Sequence, residues 1–273
     1  MNSHRGTFLL LFASAVFLGI FVYQAIVRVT LAPVMHLPSL LSTARLLPLC
    51  LLLSSWLHAW FSLGLGHSLA FLGLTVVISW VLEQVGVATG WVYGTYHYTD
   101  LLGPKVGHVP LLIPVSWFMM SYPSYVISNV ILDGRPVSRW SGARHWLCAS
   151  VLGALVMTAW DVAMDPLMSG APHGAWIWHN PGPYFGVPLH NFVGWVTTTF
   201  AIHGVYRLFE RSHPSHPLGV LGPQAASLPV WAYGAMMSAN VAAGGPEALR
   251  WITLIVMGVP FGLALAGLQP PRP

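Results

Sequence analysis

Apolar runs of about twenty residues recur along this chain, which is the length a helix needs to cross a bilayer core of about 30 Å. Of the 273 residues, 55% are hydrophobic and only 7% are charged, whereas soluble domains carry about 25% charged residues. Backbone polar groups within a bilayer find no water, which favours helices that satisfy them internally. The composition therefore predicts a single domain over residues 1–273 with an all-α fold, a polytopic transmembrane helix bundle.

The apolar segments predict seven or eight spans, depending on whether the short seventh segment crosses the membrane. The predicted helices cover residues 7–27, 40–62, 66–88, 109–132, 146–168, 191–209, 225–243 and 248–268. In the eight-helix arrangement most arginines fall on one side, namely Arg5, Arg135, Arg139, Arg144, Arg207, Arg211 and Arg272. Because positively charged loops tend to stay in the cytoplasm, we expect a multi-pass protein of the cell (inner) membrane with both termini cytoplasmic.

Two connections of unusual composition, near residues 89–108 and 169–190, are separated by two spans and therefore open on the same membrane face. Both are rich in aromatic residues, glycine and proline, and they contain GWVYGTYHYTDLLGPKVGHVP and PHGAWIWHNPGPYFGVPLHN. Glu83 lies near the end of the helix that enters the first loop, and Asp161 and Asp165 lie near the end of the helix that enters the second. We expect both loops to cap a site that contains these three carboxylates.

The stretch DVAMDP places Asp161 and Asp165 four residues apart in an apolar segment, directly before Pro166. Residues at i and i+4 share one face of a helix, so both carboxyl groups should point into the bundle. An ionisable residue within a span costs about 2.5–3.5 kcal/mol on insertion scales, which makes it a candidate functional residue. Two carboxylates in one apolar pocket cannot both ionise cheaply, so we expect one of them to keep a proton at neutral pH.

Simpler roles for these carboxylates remain open at this point. Asp165 is also explained if the helix ends at Pro166 and the membrane interface wets its side chain. Glu83 is also explained by a pair with an arginine or a backbone amide. A metal site that combines the carboxylates with His179 or His190 is a further alternative. The HExxH and thiol-rich zinc patterns and a Gly-rich phosphate-binding loop are all absent, so we predict no metal and no cofactor.

A protonated carboxylic acid in an apolar cavity can transfer its proton to a group as weakly basic as a carbon–carbon double bond. The carbocation so formed needs π faces nearby, because aromatic rings stabilise a desolvated cation by up to about 2 kcal/mol. The loops supply candidate rings, which are Trp91, Tyr93, Tyr96, Tyr98, Trp176, Trp178, Tyr184 and Phe185. For each ring the alternative is the aromatic belt that membrane proteins carry at the interface.

Four stretches follow one another between about residues 80 and 205: Glu83 with GWVYGTYHY, then LGPKVGHVPLLIPVSW, then DVAMDP, then WIWHNPGPYFGVPLHNFVGW. In these stretches the chain resembles the integral-membrane carotenoid biosynthesis proteins of the CruF type, which are carotenoid 1,2-hydratases. The resemblance implies addition of water to the terminal double bond of an acyclic carotenoid, such as lycopene, γ-carotene or a bacterioruberin precursor. The implied partners are that carotenoid, water, the lipid bilayer and other membrane enzymes of the carotenoid pathway, with no nucleic acid.

Depth and spacing suggest a role for each polar residue in such a reaction. We expect Asp161 to be the general acid, and Asp165 to share its proton or to take one from the attacking water. Glu83 would be a supporting carboxylate. Asn191, at the start of its predicted helix, would orient water.

Two other functions are kept as alternatives. DVAMD also matches the DxxxD pattern of UbiA-type membrane prenyltransferases, which need Mg²⁺ and a second aspartate-rich motif. A non-catalytic carotenoid- or lipid-binding membrane protein, or a transporter with a proton relay, would also bury carboxylates.

Overall fold

The computed structural model describes residues 2–40, 46–137, 140–170, 173–214 and 223–269. Its long helices are α1 (Asn2–Val22), α3 (Leu47–Leu63), α4 (Leu65–Thr89), α5 (Leu112–Asp133), α6 (Ala143–Ser169), α7 (Leu189–Ser212), α8 (Pro223–Ala242) and α9 (Glu247–Gly267). A π-helical turn (Tyr23–Val27) and the short α2 (Arg28–Leu31) extend α1. Short strands lie in the connections: β1 (Tyr96–Tyr98), β2 (Lys105–Val106), β3 (Val109–Pro110) and β4 (Trp176–Trp178). The predicted all-α class and the order of the predicted helices are confirmed.

Four helical segments in the described part of the chain are long and apolar enough to cross a membrane, judged by length and composition. They are Gly6–Leu31, Leu65–Thr89, Ala143–Ser169 and Glu247–Gly267. The apolar α3 is shorter, at 17 residues. The prediction of a membrane protein is therefore confirmed, whereas spans beyond these four and the orientation remain predictions. Arg139, Arg272 and the side chain of Arg5, which contribute to the predicted orientation, lie outside the described residues.

The second helix begins later than its apolar run predicts. The sequence predicts this helix from residue 40, but α3 begins at Leu47 and has a proline, Pro48, in its first turn. Proline suits the first turn because the N–H that it lacks would have no helical partner there. Pro48 is thus the sequence signal that marks the start of α3.

Helix α5 lies at the centre of the bundle. Its buried residues run without interruption from Trp117 to Val130, as expected for a helix with neighbours on all sides. It contacts α3, α4, α6, α8 and α9, while α7 packs along α6 and also contacts α4. Helices α4, α5, α6 and α7 therefore enclose the part of the core that carries Glu83, Asp161 and Asp165.

Three helix-interior prolines, Pro123, Pro166 and Pro229, each release one backbone carbonyl that a distant side chain then binds. Proline lacks the N–H that would bond to the carbonyl four residues earlier. In α5 the carbonyl of Met119 accepts from Ser55 Oγ at 2.9 Å. In α6 the carbonyl of Val162 accepts from Tyr184 Oη at 3.1 Å, and in α8 the carbonyl of Ala225 accepts from His58 Nε2 at 2.8 Å. Each helix therefore continues past its proline, and each proline position fixes a contact between two elements.

Candidate active site

Helix α6 continues through Pro166 to Ser169, so Asp161 and Asp165 lie on one face of an unbroken helix. The two aspartates are 0% and 1% exposed, and Glu83 on α4 is 4% exposed. The alternative in which Asp165 ends the helix and is wetted by the membrane interface is therefore wrong. All three carboxylates are buried at the same end of the bundle.

The two aromatic loops are joined by an antiparallel sheet. Strands β1 and β4 pair in the register Tyr96↔Trp178, His97↔Ile177 and Tyr98↔Trp176. Because side chains alternate across a strand, the tyrosines and tryptophans are buried on the inner face, whereas His97 and Ile177 are exposed. Residues 90–111 and 173–188, which this sheet connects, are called the lid. Its formation agrees with the expectation that both loops open on one face and fold back together.

The inward tyrosines of β1 bind Glu83. Glu83 Oε2 accepts hydrogen bonds from Tyr96 Oη at 2.5 Å and Tyr98 Oη at 2.8 Å, and Oε1 accepts from Trp117 Nε1 at 3.1 Å. Burial, and then the neighbouring Glu83, raise the pKa of both tyrosines well above the ordinary value, so both phenols remain donors. The partners of Glu83 are thus neutral aromatic side chains, not the arginine or backbone amide of the simpler alternative.

The inward tryptophans of β4 bind Asp165 in a similar way. Trp176 Nε1 and Trp178 Nε1 donate to Asp165 Oδ1 at 2.9 and 3.1 Å. Asp165 Oδ2 accepts from Asn191 Nδ2 of α7 at 2.9 Å. Both oxygens of Asp165 are therefore occupied by N–H donors, and two of the three donors come from the lid.

Asp161 differs from the other two carboxylates in having an oxygen without a partner. Its Oδ2 accepts from Asn191 Nδ2 at 2.7 Å, so one amide group bridges both aspartates. Its Oδ1 is buried and has no hydrogen-bond partner among the described residues. Buried polar atoms are almost always paired, so an unpaired one marks a place for a proton, a water or a ligand. Asp161 Oδ1 is therefore the open position of the site.

Tyr93 lies at the lid side of the site, where its hydroxyl pairs with Thr198 Oγ1 at 2.9 Å. Its ring lies in a slot between two glycines, because an added Cβ would come within 2.7 Å of it from Gly86 and 2.5 Å from Gly194. Burial, and then Glu83, raise the pKa of Tyr93 well above the ordinary value, and Asp161 acts in the same direction. Tyr93 thus lies within the electrostatic reach of both carboxylates and stays a neutral phenol.

Three tryptophans outside the predicted set form an inner wall of the site. Trp117 and Trp195 stack with ring centroids 4.1 Å apart, and Trp160 meets Trp195 edge-on at 5.7 Å. Trp160 directly precedes Asp161, and Trp195 lies one helical turn after Asn191. In sequence they look like ordinary core residues of apolar helices. The four-residue spacing from Asn191 to Trp195 is the one sequence signal for their position.

The other predicted aromatic residues do not all reach the carboxylates. The hydroxyl of the half-buried Tyr184 donates to the carbonyl of Val162 at 3.1 Å, which places this phenol beside the residue that follows Asp161. Burial, and then Asp161, raise the pKa of Tyr184 to about 12. Trp91 is 79% exposed, because the left-handed Gly90 ends α4 and turns the chain outward. Phe185 is 38% exposed and has a φ of 48°. The structure therefore brings Tyr184 to the site and leaves Trp91 and Phe185 at the surface.

The histidines of the metal alternative lie away from the carboxylates. His179 Nε2 is 2.7 Å from His97 Nδ1 on the outer surface of the lid, and His190 is exposed. Across the described ranges, no group of three or more His, Cys, Asp or Glu side chains is arranged to hold a metal ion. The site consists of carboxyl groups, one bridging amide and aromatic side chains.

Comparison with known proteins places this geometry in context. The family model described as carotenoid biosynthesis protein matches residues 45–265. The chain is also 34% identical over 129 residues to bisanhydrobacterioruberin hydratase of Haloarcula japonica. That match covers 47% of this chain and 40% of the relative, so it spans less than half of the relative's length. No solved structure matches the chain.

Proposed function

Because the chain belongs to the carotenoid biosynthesis protein family, we propose that it is a carotenoid hydratase. It adds water across the terminal 1,2 double bond of an acyclic carotenoid end group, as in lycopene, γ-carotene or a bacterioruberin precursor, to give a tertiary alcohol. The name of the Haloarcula japonica relative supports this reaction class. The observation that carries the proposal is Asp161, a buried carboxyl group with an open oxygen in an aromatic pocket.

Asp161 is the general acid in this proposal. The oxygens of Glu83 and Asp165 are occupied by N–H and O–H donors, whereas Asp161 Oδ1 has no partner among the described residues. A proton shared by the three carboxyl groups therefore belongs on Asp161 Oδ1. Transfer of this proton to C2 of the terminal double bond leaves the more stable, tertiary cation at C1.

The cation at C1 forms beside the wall of Trp117, Trp160 and Trp195. Aromatic faces stabilise a desolvated cation by up to about 2 kcal/mol, and the stacked rings keep bulk water from the reacting carbon. The lid aromatics have a different role, because Tyr96, Tyr98, Trp176 and Trp178 direct their polar groups to Glu83 and Asp165. They hold the carboxylates in place.

Water completes the reaction at C1. Its oxygen forms the new C–O bond, and its proton passes to Asp165, which acts as the base through Oδ2, the oxygen that accepts from a single N–H donor. The Asn191 amide, bonded to both aspartates, fixes the distance between acid and base. Return of the proton from Asp165 to Asp161 restores the starting state. The net reaction adds one water molecule and consumes neither oxygen nor a redox cofactor, while Glu83 supports the site by anchoring the lid.

A UbiA-type prenyltransferase fits this site less well. Such an enzyme needs a second aspartate-rich motif facing the first, and cationic groups for a diphosphate. The chain has seven acidic residues, and those outside the site are Asp100, Asp133, Glu210 and Glu247. Their partners are, in the same order, Lys105, His145, Tyr125 and Trp251, so they form no second motif.

The orientation proposed for the protein follows from its arginines. Arg135, Arg144 and Arg211 lie at the end of the bundle opposite the lid, where α5 ends, α6 begins and α7 ends. Both α1 and α9 also have their outer termini at that end. Because positively charged loops stay in the cytoplasm, both termini are assigned to the cytoplasmic side of the cell membrane. Other membrane enzymes of the carotenoid pathway are the proposed neighbours in the bilayer.

Incubation of the purified protein with lycopene in oxygen-free water labelled with oxygen-18 tests the proposed function. We expect a product heavier by one labelled water molecule, with nearly unchanged visible absorption because the terminal double bond is isolated from the conjugated chain. The label should appear equally in the presence of a divalent-ion chelator. Bound but unchanged carotenoid would indicate a binding protein instead, and an oxygen-dependent, unlabelled product would indicate a hydroxylase.

A further inference from the structure

A seam of buried polar side chains leads from the site towards the end of the bundle opposite the lid. On α7 it follows a four-residue spacing through Asn191, Trp195, Thr199, His203 and Arg207, none more than 9% exposed. Residues at this spacing share one face of a helix, so this face of α7 is polar except at Trp195. The neighbouring helices add buried hydroxyl groups, at Thr75 and Ser79 on α4, Ser121, Ser124 and Ser128 on α5, and Ser150 on α6.

Buried polar atoms without a hydrogen-bond partner are concentrated along this seam. Along the seam they are Asp161 Oδ1, Trp160 Nε1, Thr75 Oγ1, Thr199 Oγ1, His203 Nδ1, Ser150 Oγ and Arg207 Nε and Nη1. Elsewhere in the described ranges they are Asn129 Oδ1 and Trp56 Nε1. An unpaired buried donor or acceptor costs about 1–3 kcal/mol, and proteins bind ordered water at such groups. A succession of unpaired donors and acceptors therefore indicates a file of buried water.

The middle of the seam is set by the contact between α4 and α7. Phe71 and His203 pack with ring centroids 6.0 Å apart. Thr75 lies one helical turn from Phe71 towards the lid, and Thr199 lies one turn from His203 in the same direction. Their unpaired hydroxyl groups are therefore on the same level of the bundle. Water at this level can donate to one hydroxyl and accept from the other.

Arg207 forms the outer level of the seam. Its Nη2 donates to Ser128 Oγ at 2.9 Å and its guanidinium lies 4.5 Å from the centre of the Tyr125 ring. Its remaining N–H groups, at Nε and Nη1, require acceptors, and water oxygens supply them without adding a charge. Glu210 lies three residues after Arg207 on α7 and is partly exposed. It accepts a hydrogen bond from Tyr125 Oη at 2.8 Å, so the seam reaches the surface there. A fixed positive charge at this level disfavours hydronium, and therefore suits a path for water rather than for protons.

We propose that this seam conducts water from the membrane face opposite the lid to Asp161. The inference rests on the proposed hydratase function, since that reaction consumes one water molecule in each turnover. At the inner end Trp195 separates Thr199 from Asn191, and the unpaired Nε1 of Trp160 provides the next donor towards the site. Water thus reaches C1 singly and from the side opposite the lid.

Hydroxyl-radical labelling by X-ray radiolysis of the intact protein tests whether the seam holds water. Radicals formed from a bound water oxidise the side chains beside it, even when those side chains are buried. Met157 is 0% exposed and lies one turn from Gly153, where an added Cβ would be 2.3 Å from His203 Nδ1. Met257 on α9 is equally buried but lies off the seam. We expect oxidation of Met157 and not of Met257, and an unlabelled Met157 overturns the proposal.

A pair of matched variants tests whether that water is the substrate. Thr199→Val keeps the shape of the side chain and removes the hydroxyl, so it should lower kcat for hydration about five- to tenfold, the equivalent of one hydrogen bond. Met157 labelling should fall with it, and carotenoid affinity should not change. Thr197→Val, on the exposed face of the same helix, should alter none of these.

Three further results bear on this route. Equal turnover by the two threonine variants overturns it, even if Met157 is labelled. Unchanged Met157 labelling in Thr199→Val also overturns it, because that hydroxyl would then not hold the water. If the unsubstituted protein hydrates no carotenoid, the proposed function fails and the supply role fails with it, while the labelling still shows whether the seam is wet.

Discussion

Asp161→Asn is expected to lower the turnover of carotenoid hydration by about 10²- to 10⁴-fold, the usual contribution of a positioned general acid. Asparagine keeps the shape of the side chain, and its carbonyl oxygen can still accept from Asn191. Its amide, however, cannot transfer a proton to an alkene. Carotenoid binding and thermal unfolding should change little, because Asp161 Oδ1 bonds to no described residue. The measurements are kcat from product formation and affinity from carotenoid absorption.

Asp100→Asn is the matched control for this substitution. The Asp100 side chain is fully exposed on the lid and forms a 3.0 Å ion pair with Lys105. The same chemical change there should leave turnover at the level of the unsubstituted protein. Near-normal turnover by Asp161→Asn would remove Asp161 from the role of acid and would leave Asp165 or Glu83 as the remaining candidates.

Gly194→Ala is expected to displace the lid and to destabilise the protein. An added Cβ would lie 2.3 Å from the Val92 carbonyl oxygen and 2.5 Å from the Tyr93 ring. Tyr93 cannot retreat, because Gly86 confines its other edge. Overpacking of this kind costs about 1–3 kcal/mol. The thermal unfolding midpoint should fall, and turnover should fall with it as the lid donors move away from Glu83 and Asp165.

The same substitution at Gly73 provides the comparison. Gly73 lies on the exposed face of α4, and an added Cβ there meets nothing within 4 Å. Because alanine favours helix over glycine by about 1 kcal/mol, Gly73→Ala should leave the unfolding midpoint unchanged or raise it. Equal midpoints and equal turnover in the two variants would show that the close approach of α7 to the lid is not needed.

The carboxylates could be located from the sequence because charge inside an apolar segment is costly and therefore conspicuous. Counting the spans between the two aromatic loops also placed both loops on one face, and the pairing of β1 with β4 agrees with that deduction. The sequences YHY and WIW alternate with a period of two, and their first and third residues are the ones that face the carboxylates. This alternation separates the inward Tyr96 and Tyr98 from the outward His97, but only once a strand is assumed.

Other features depend on contacts between residues far apart in the chain. Whether α6 ends at Pro166 depends on the carbonyl of Val162 finding another donor, and that donor is Tyr184 in the lid. No local pattern predicts this partner. The wall of Trp117, Trp160 and Trp195 is assembled from three helices, so its residues are conspicuous only when the packing is known. The prediction that Trp91 lies near the site was wrong, because the sequence of a loop does not show whether an aromatic side chain faces the core or the surface.

Infrared absorption of the purified protein at neutral pH gives the most direct test of whether Asp161 holds its proton. A protonated carboxyl group has a carbonyl stretch distinct from that of a carboxylate, and the band shifts in heavy water. We predict such a band in the unsubstituted protein and in Asp100→Asn, and its loss in Asp161→Asn. A spectrum without this band, or a band that survives in Asp161→Asn, would contradict the assignment of Asp161 as the acid that protonates the carotenoid.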